Sequence, residues 1–465
     1  MTTTTFPMPK SEIFHVGDTD KVAAIMSEVE SSGDIFDEDA LPAVAPVPGY
    51  ANRYRYVPFG VDNQLPFNII RLIGEDEIMS QNKFFNVLTC YGNGMRYNDP
   101  KTGKPTTDPE IGRWMMSNSL SEFFLEQATD MKYFFFAVAV VILSRDGSKI
   151  VQLRHKEACY CRLEKANARG EIKHVFYANW RSQTSLEAKD VEIIPLLDEK
   201  DPLGHLEVLM GRAPGRDGKK EVRTGQRKFA ILMRFPTPGL QYYPIPYYTA
   251  IFRGDWFDIK KLIGVGKKAK LKNHASVKYQ VEVHKDYWYN ICDEEHITDP
   301  LKIQERIKQE KQNIKNFVAG IENSGKVWIT GYYIDPNGKE NRMVRVNVID
   351  AGKEGGDWSE DIQEAANMTC YGDNIHPNLV GATPGKSQSN NSGSDKRELF
   401  TLKQSLEKSW HDIMMKVHNV VIYYNGWEQK VTPDVPLIML TTLDQHTDAQ
   451  EVSLNNTDND NTGTI

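Results

Sequence analysis

The spacing of apolar residues between positions 355 and 418 predicts two helices joined by a polar segment. The first helix is expected to open at an N-cap, Asp357, and to end near Gly372, which can take the left-handed C-cap conformation. The second is expected to run from Glu398 to about His418 with one side facing the core. Its core-facing positions are Leu399, Leu402, Leu406, Trp410, Ile413, Met414 and Val417.

The segment between these helices has almost nothing to bury. Residues 382–397 are mainly Gly, Ser, Asn, Gln and Lys, a composition that cannot offset its own ordering entropy. A polar loop held between two anchored helices inside one domain is usually functional rather than a linker. The pattern therefore makes this loop the first candidate for function.

The rest of the chain alternates helical and strand patterns and is typical of an α+β protein. A single long helix is predicted over 247–272, followed by a small module of strand, loop, helix and two strands. Val420–Tyr424 and Leu437–Thr442 are predicted as strands that return to the first lobe. The lobe's own strands are predicted at the second half of Tyr133–Leu143, Ile150–His155, Cys159–Leu163, His174–Trp180 and Phe229–Phe235.

Composition narrows the functional classes. The chain has 465 residues, enough for two or three lobes, and a formal net charge of −7 that argues against a protein that coats duplex DNA. Its most apolar run, Tyr133–Leu143, is too short to span a bilayer. Five scattered cysteines without a signal peptide indicate a reduced, cytoplasmic setting.

Two glycine-rich motifs suggest nucleotide binding but fit it poorly. In Gly381–Ser387, three residues rather than four separate the first Gly from Gly-Lys-Ser, and neither a strand before it nor a helix directly after it is expected. Gly264–Ala269 matches a dinucleotide fingerprint only inside a helical pattern, where packing against small residues is the better interpretation.

Metal and catalytic sites are also weakly indicated. His155, Cys159 and Cys161 lack a fourth ligand nearby and are more simply buried core residues. The acidic residues around Asp293–Asp299 precede a helix, so complementing its N-terminal dipole is the plainer explanation. No recognisable spacing of nucleophile, base and orienting residue occurs, and we expect neither cofactor nor metal.

Three stretches carry a resemblance to a known family. They are Phe59–Pro66, Tyr243–Tyr248 at the entry to the predicted long helix, and the Pro-containing exit Gly372–Gly381 from the later helix. With the order of the predicted parts, they resemble the portal (head-to-tail connector) proteins of tailed double-stranded DNA bacteriophages, over about residues 50–444. The resemblance implies an α+β portal fold that forms a ring, with an α/β wing, a two-helix stem and a small α/β clip.

The resemblance also implies a division of the chain. The expected parts are an acidic arm at 1–45, wing at 46–246, stem helix 1 at 247–273, clip at 274–352, stem helix 2 at 353–375, channel loop at 376–397, second wing part at 398–444 and a tail at 445–465.

For function, the resemblance implies a non-enzymatic channel at one capsid vertex, with twelve copies conducting DNA during packaging and ejection. Its partners would be duplex DNA without sequence specificity, the terminase large subunit, the major capsid or scaffolding protein and neck or adaptor proteins, with no membrane. The chain would be in the host cytoplasm during assembly and then in the virion. The channel-loop candidates are Thr383, Lys386, Ser387, Ser389, Asn390, Asn391 and Lys396. The stem lysines that are candidates to face the channel are Lys260, Lys261, Lys267 and Lys268, and the clip residues for motor and neck docking are Asp293, Glu294, Glu295 and Asp299.

Two alternatives stay open at this point. As an enzyme, the chain would be a nucleotide-dependent nucleic-acid enzyme that uses Lys386. As a different structural protein, it would belong to another part of a phage tail or capsid and would form a particle without an axial channel.

Overall fold

The chain forms two compact units, which we describe separately. The computed structural model describes residues 44–215, 218, 223–239, 242–272, 279–319, 332–334, 340–342, 344–348, 358–380, 393–439 and 452–453. Described residues up to Lys261 and from Ser359 onward form the larger unit, and Leu262–Trp358 form the inserted unit.

Helices and strands are numbered along the chain. The helices are α1 (Leu65–Gly74), α2 (Glu77–Tyr91), α3 (Pro109–Ser117), α4 (Leu120–Phe134), α5 (Pro202–Leu209), α6 (Ala250–Arg253), α7 (Asp255–Lys272), α8 (Lys285–Glu294), α9 (Pro300–Ala319), α10 (Ser359–Gly372), α11 (Pro377–Val380) and α12 (Gly393–Tyr424). The strands are β1 (Ala45–Pro46), β2 (Arg55–Val57), β3 (Arg96–Asn98), β4 (Phe136–Leu143), β5 (Ile150–Lys156), β6 (Cys161–Glu164), β7 (His174–Tyr177), β8 (Glu192–Pro195), β9 (Lys228–Arg234), β10 (Tyr279–Val283), β11 (Tyr332–Ile334), β12 (Glu340–Arg342), β13 (Val344–Val348), β14 (Thr432–Asp434), β15 (Ile438–Met439) and β16 (Val452–Ser453).

The larger unit is built on antiparallel sheets, which confirms an α+β class. One sheet has the order β1-β2-β6-β7-β8 and another has the order β5-β4-β9. The predicted strands at 150–155, 174–180 and 229–235 are present as β5, β7 and β9 with small shifts of their ends. A separate pair, β3 with β14, aligns Asn98 with Thr432, so the last part of the chain returns to the first lobe, but through a strand that was not predicted. Of the predicted strand Leu437–Thr442, Ile438–Met439 form β15, which pairs with β16, and residues 440–442 lie outside the described residues.

Strand β4 is buried on both faces and separates two hydrophobic cores. Phe136, Val138 and Val140 belong to the first core, whereas the alternate residues Ala137 and Ala139 belong to the second. This alternation follows from the two-residue period of a strand. It explains why the sequence here is continuously apolar rather than alternating.

The prediction of a strand at Val420–Tyr424 is wrong, because α12 continues without a break to Tyr424. Met414, Val417 and Val421 recur at helical spacing and are buried in the second core. Packing of this stripe outweighs the strand preference of its β-branched residues.

The predicted continuous helix over 247–272 is interrupted. A 3-10 turn at Tyr247–Thr249 leads into α6, and Gly254 then takes an extended conformation with ψ 150° before α7 begins. Gly lowers helix stability, and Asp255 and Asp258 favour a new helix start through the macrodipole. The helix predicted as stem helix 1 therefore begins at Asp255 rather than at Tyr247.

The boundaries of the predicted channel loop also change. Helix α10 ends at Gly372, and a short helix, α11, follows within the part predicted as loop. Helix α12 begins at Gly393, five residues before the predicted start at Glu398. Residues 353–357 and 381–392 lie outside the described residues.

The described residues of the inserted unit include the C-terminal part of α7, helices α8 and α9, a strand pair and a short hairpin. β10 pairs antiparallel with β13, with Val281 opposite Val346, and β11 pairs with β12. Helix α9 was predicted, whereas α8 was not: it begins directly after the predicted strand Ser276–His284 and ends at the start of the predicted loop around Asp293–Asp299. The predicted strand at Lys326–Thr330 lies outside the described residues. Among the described helices, none is long and apolar enough to cross a membrane.

A buried histidine, His418, lies in the second core of the larger unit. Its ring packs edge-on against Tyr97 and Phe123, and its Nδ1 lies 3.1 Å from the Tyr97 hydroxyl. Burial lowers the pKa of His418 to about 3. An unfolded chain takes up this proton near pH 6.5, so the folded state loses stability as the pH falls from about 6.5 towards 3.

We therefore predict that His418→Gln flattens the acid-side loss of stability. The wild-type free energy of unfolding should fall on acidification more steeply than that of the variant, by up to about 1.4 kcal/mol per pH unit for this one proton. Urea unfolding at several values between pH 7 and 4 measures both slopes. His376→Gln, at an exposed position, is the control and should keep the wild-type slope. Equal slopes for His418→Gln and wild type would contradict the assignment.

Candidate functional site: buried charges beside residues 381–392

The turn that leaves α10 is fixed by a buried ion pair. Lys83 of α2 places its Nζ 2.5 Å from Oδ1 of Asp373, and the two side chains are only 2% and 3% exposed. The same Nζ lies 3.0 Å from the centre of the Tyr248 ring, a cation–π contact. Truncating one partner of such a pair would leave the other charge buried without compensation.

A second buried pair fixes the first half of α12. Lys132 of α4 places its Nζ 2.5 Å from Oε2 of Glu407 and 4.1 Å from the centre of the Trp410 ring. Lys403, one turn earlier on α12, lies 3.6 Å from the other oxygen of Glu407. Three ammonium groups and two carboxylates therefore meet among α2, α4, α12 and the turn after α10.

Hydrogen bonds to the backbone connect these two pairs. The amide of Asn86 donates to the carbonyl of Asp373 at 3.2 Å, and Lys403 donates to the carbonyl of Asn374 at 3.3 Å. Asn374 has φ 56°, a conformation that Asn tolerates better than most residues. The exit turn is thus held from α2 on one side and from α12 on the other.

Gly372 has a different role from the one predicted. The residue in the left-handed conformation is Asn374 rather than Gly372. A Cβ at Gly372 would lie 2.5 Å from Cγ1 of Ile251, so the absence of a side chain permits close packing between α10 and α6.

Burial sets the protonation of the lysines. It lowers the pKa of Lys83 to about 8, against the opposing attraction of Asp373. Burial likewise lowers the pKa of Lys403, which Glu407 partly offsets. An excess of cations over carboxylates in a poorly solvated place is electrostatically costly, so the cluster depends on every carboxylate it contains.

The geometry of the charged cluster suits a structural role, in which it holds α10 and α12 in place. The cluster fixes the turn that leaves α10 and the first half of α12, since Asp373 precedes residues 381–392 and Lys403 and Glu407 follow them. Among the described residues, no group of three or more His, Cys, Asp or Glu side chains is placed to hold a metal ion.

Most predicted channel-loop residues fall outside the part of the chain that the structure describes. Thr383, Lys386, Ser387, Ser389, Asn390 and Asn391 lie outside the described residues. Lys396, predicted to be in the loop, instead lies exposed in the first turn of α12.

The four lysines that were predicted to lie in a stem differ in their surroundings. Lys260 forms an ion pair with buried Asp76, and Lys261 lies 3.2 Å from Glu75, so both charges have partners within the larger unit. Lys267 is half-buried and Lys268 is exposed. Gly266, in the weak dinucleotide motif, packs inside α7, where a Cβ would lie 3.1 Å from the Trp358 ring.

The four acidic residues predicted for the clip were expected to precede a helix, and this is wrong for three of them. Asp293 and Glu294 are exposed at the C-terminal end of α8, where the macrodipole disfavours negative charge. Glu295 instead forms a two-pronged ion pair with Arg306. Asp299 alone precedes α9 and accepts a hydrogen bond from the amide of Leu301 at 3.1 Å.

The residues first considered as metal ligands are core residues, as expected. Nε2 of His155 lies 2.8 Å from Asp130, and Cys159 and Cys161 are buried thiols. Cys159 lies in a 3-10 turn before β6 rather than on the strand.

Sequence reasoning missed the charged cluster because it placed the core on the wrong side of α12. Leu402 and Leu406 are 58% and 51% exposed, whereas Lys403 and Glu407 are buried. The available signal was the four-residue spacing of Lys403, Glu407 and His411, which puts three polar side chains on one helix face. Their burial depends on Lys132 and Asn374, which are distant in sequence.

Comparisons with known proteins find similar solved structures but no matching sequence family. No family model matches the chain, and no curated protein matches it. Among solved structures, it is similar to a chain in the virion of a native gene transfer agent (GTA) particle, with TM-score 0.49 and 12% identity over 82% of this chain and 85% of that chain. It is also similar to a chain in the neck of an empty GTA particle computed with C6 symmetry, with TM-score 0.49 and 11% identity over 82% and 85%. A chain in the neck of a native GTA particle computed with C12 symmetry gives TM-score 0.46 and 12% identity over 88% and 90%. Scores of this size do not establish a shared fold, so the function is inferred from the chain's own residues.

The cluster predicts a large penalty for removing one carboxylate. Asp373→Asn leaves Lys83 buried without its counter-charge and should lower the free energy of unfolding by about 3 kcal/mol, measured by urea unfolding. Asp361→Asn, at an exposed position on α10, should change it by less than about 0.5 kcal/mol.

A double variant separates charge from packing. Lys83→Met combined with Asp373→Leu removes both charges and should recover most of the stability lost in Asp373→Asn. A loss in Asp373→Asn no larger than in Asp361→Asn would show that the ion pair does not hold the turn.

Proposed function

We propose that the chain is a phage portal protein, a non-enzymatic subunit of a ring that conducts duplex DNA through a capsid vertex. The observation that carries the proposal is the anchoring of α10 and α12 by buried charges on both sides of a Ser/Asn-rich segment. Rigid supports around a segment with few apolar side chains of its own to bury suit a part that acts outside its own core.

The order of elements along the chain supports the same function. Helix α7 leads into the inserted unit, and α10 leads out of it. In a portal, these parts correspond to a stem, a clip that docks the terminase motor and later the neck proteins, and a second stem helix. Asp293, Glu294 and Lys268 are exposed and are the described candidates for contacts in the clip and stem.

The chemistry of residues 381–392 suits a moving duplex. Short polar side chains contact phosphates weakly and in any register, whereas base-specific contacts would hold one sequence in place. Lys386 and Lys396, repeated around a ring of about twelve subunits, would supply a diffuse attraction that weakens with salt. The net charge of −7 would limit attachment of DNA elsewhere on the subunit.

The first test is the shape of the purified particle. Negative-stain images should contain a rotationally symmetric ring with an axial hole. A closed particle would favour another phage structural protein, and binding of labelled ATP that is lost in Lys386→Ala would favour the nucleotide-dependent enzyme.

The second test concerns the lysines. Lys386→Ala with Lys396→Ala should leave the ring intact and reduce the slope of log affinity against log salt for linear duplex DNA, equally for two unrelated sequences. Lys302→Ala, at an exposed position on α9, is the matched control and should keep the wild-type slope. An unchanged slope in the double variant would exclude these lysines from the DNA path.

A further inference from the structure

Helix α12 has the reverse of the usual amphipathic arrangement in its first half. Its inward face carries Lys403, Gln404, Glu407 and His411, all at least nine-tenths buried. These polar groups have partners. Gln404 accepts a hydrogen bond from the Ile438 amide at 2.8 Å, and Nε2 of His411 lies 2.7 Å from the Cys90 carbonyl oxygen. Lys403 and Glu407 belong to the charged cluster described above.

A neighbouring face of the same half of α12 exposes apolar side chains to solvent. Leu399, Leu402 and Leu406 follow one another at helical spacing, and the last two are more than half exposed. Trp410 comes one turn later, half-buried and stacked on Phe235 at 4.1 Å between ring centres. We call Leu399, Leu402, Leu406 and Trp410 the leucine face.

The apolar surface extends beyond α12. The Phe135 ring lies 4.9 Å from the centre of the Trp410 ring and 5.8 Å from that of exposed Tyr247. Single exposed leucines are common, but a helix that buries its charges and exposes its leucines is not explained by the stability of the subunit alone. A contiguous apolar surface of this kind is typical of an interaction site.

We infer that the leucine face is covered by a neighbouring copy of this chain, an inference that rests on the proposed ring. DNA does not fit, because leucine offers nothing to phosphate. A membrane surface does not fit either, because an interfacial helix would carry several unpaired lysines or arginines beside the leucines. Here Thr401, Ser405 and Ser409 are exposed, and the charge of exposed Lys408 is paired with Asp412.

A second copy suits the surface because the same unit exposes another apolar pair. A ring needs head-to-tail contacts, in which two different patches of one chain meet. Phe84 and Leu88 are one turn apart on α2 and both exposed, and they supply such a second patch. Trp410 provides the kind of aromatic anchor on which interfaces depend.

The inference is tested first by assembly. Leu402→Ser with Leu406→Ser should raise the concentration at which the ring half-dissociates by about thirtyfold, measured by mass photometry. Met116→Ser with Leu301→Ser, two exposed apolar residues elsewhere, is the matched control and should assemble as wild type does. A double leucine variant that assembles as wild type does would overturn the inference while leaving the ring intact. A wild-type chain that never assembles would overturn the proposed function and this inference together.

A labelling experiment covers the case in which the serine variant misfolds. All five native cysteines are buried, so Leu406→Cys introduces the accessible thiol. Its reaction with a maleimide should be about tenfold slower in the ring than in dilute monomer. Equal, fast labelling in both states would show that no neighbour covers the face. Equal, slow labelling would show that the chain covers it by itself, which also contradicts a contact between copies.

Discussion

The structure depends on a physical constraint at one place: an ammonium group taken out of water needs a carboxylate beside it. Lys83 and Lys132 reach into the packed junction of the larger unit, and Asp373 and Glu407 receive them. Each pair joins residues that are far apart in the chain. Because these contacts are directional and costly to leave unmade, they fix where the exit turn of α10 and the start of α12 lie.

That constraint also explains the unusual chemistry of α12. Its first half buries Lys403 and Glu407 and leaves Leu402 and Leu406 at the surface, whereas its second half packs Val417 and Val421 into the ordinary apolar core. The helix therefore changes the role of its faces along its length. The second half of the helix stabilises the larger unit through apolar packing. The first half combines internal ion pairs with an exposed apolar surface suited to assembly.

The sequence predicted most of what local patterning determines. The two-sided burial of β4 follows from a continuous apolar run, and the return of the last segment to the first lobe is realised by β3 with β14. Errors arose where a local rule competed with packing. Val420–Tyr424 has strand propensity but continues a helical stripe, and Gly254 breaks a helix whose apolar period runs through it.

The candidate site was less predictable than the fold because it depends on packing between residues that are distant in the sequence. A lysine on α2 and an aspartate after α10 carry no pairing signal in sequence, and the leucines of α12 predict a core that charged residues occupy instead. We propose that the segment between these anchored helices lines a shared pore. Labelling Ser387→Cys with maleimide-linked gold in the purified assembly tests this claim most directly. The account predicts that the gold lies in the axial opening of a ring, and gold at the outer rim or on a particle without an opening would contradict it.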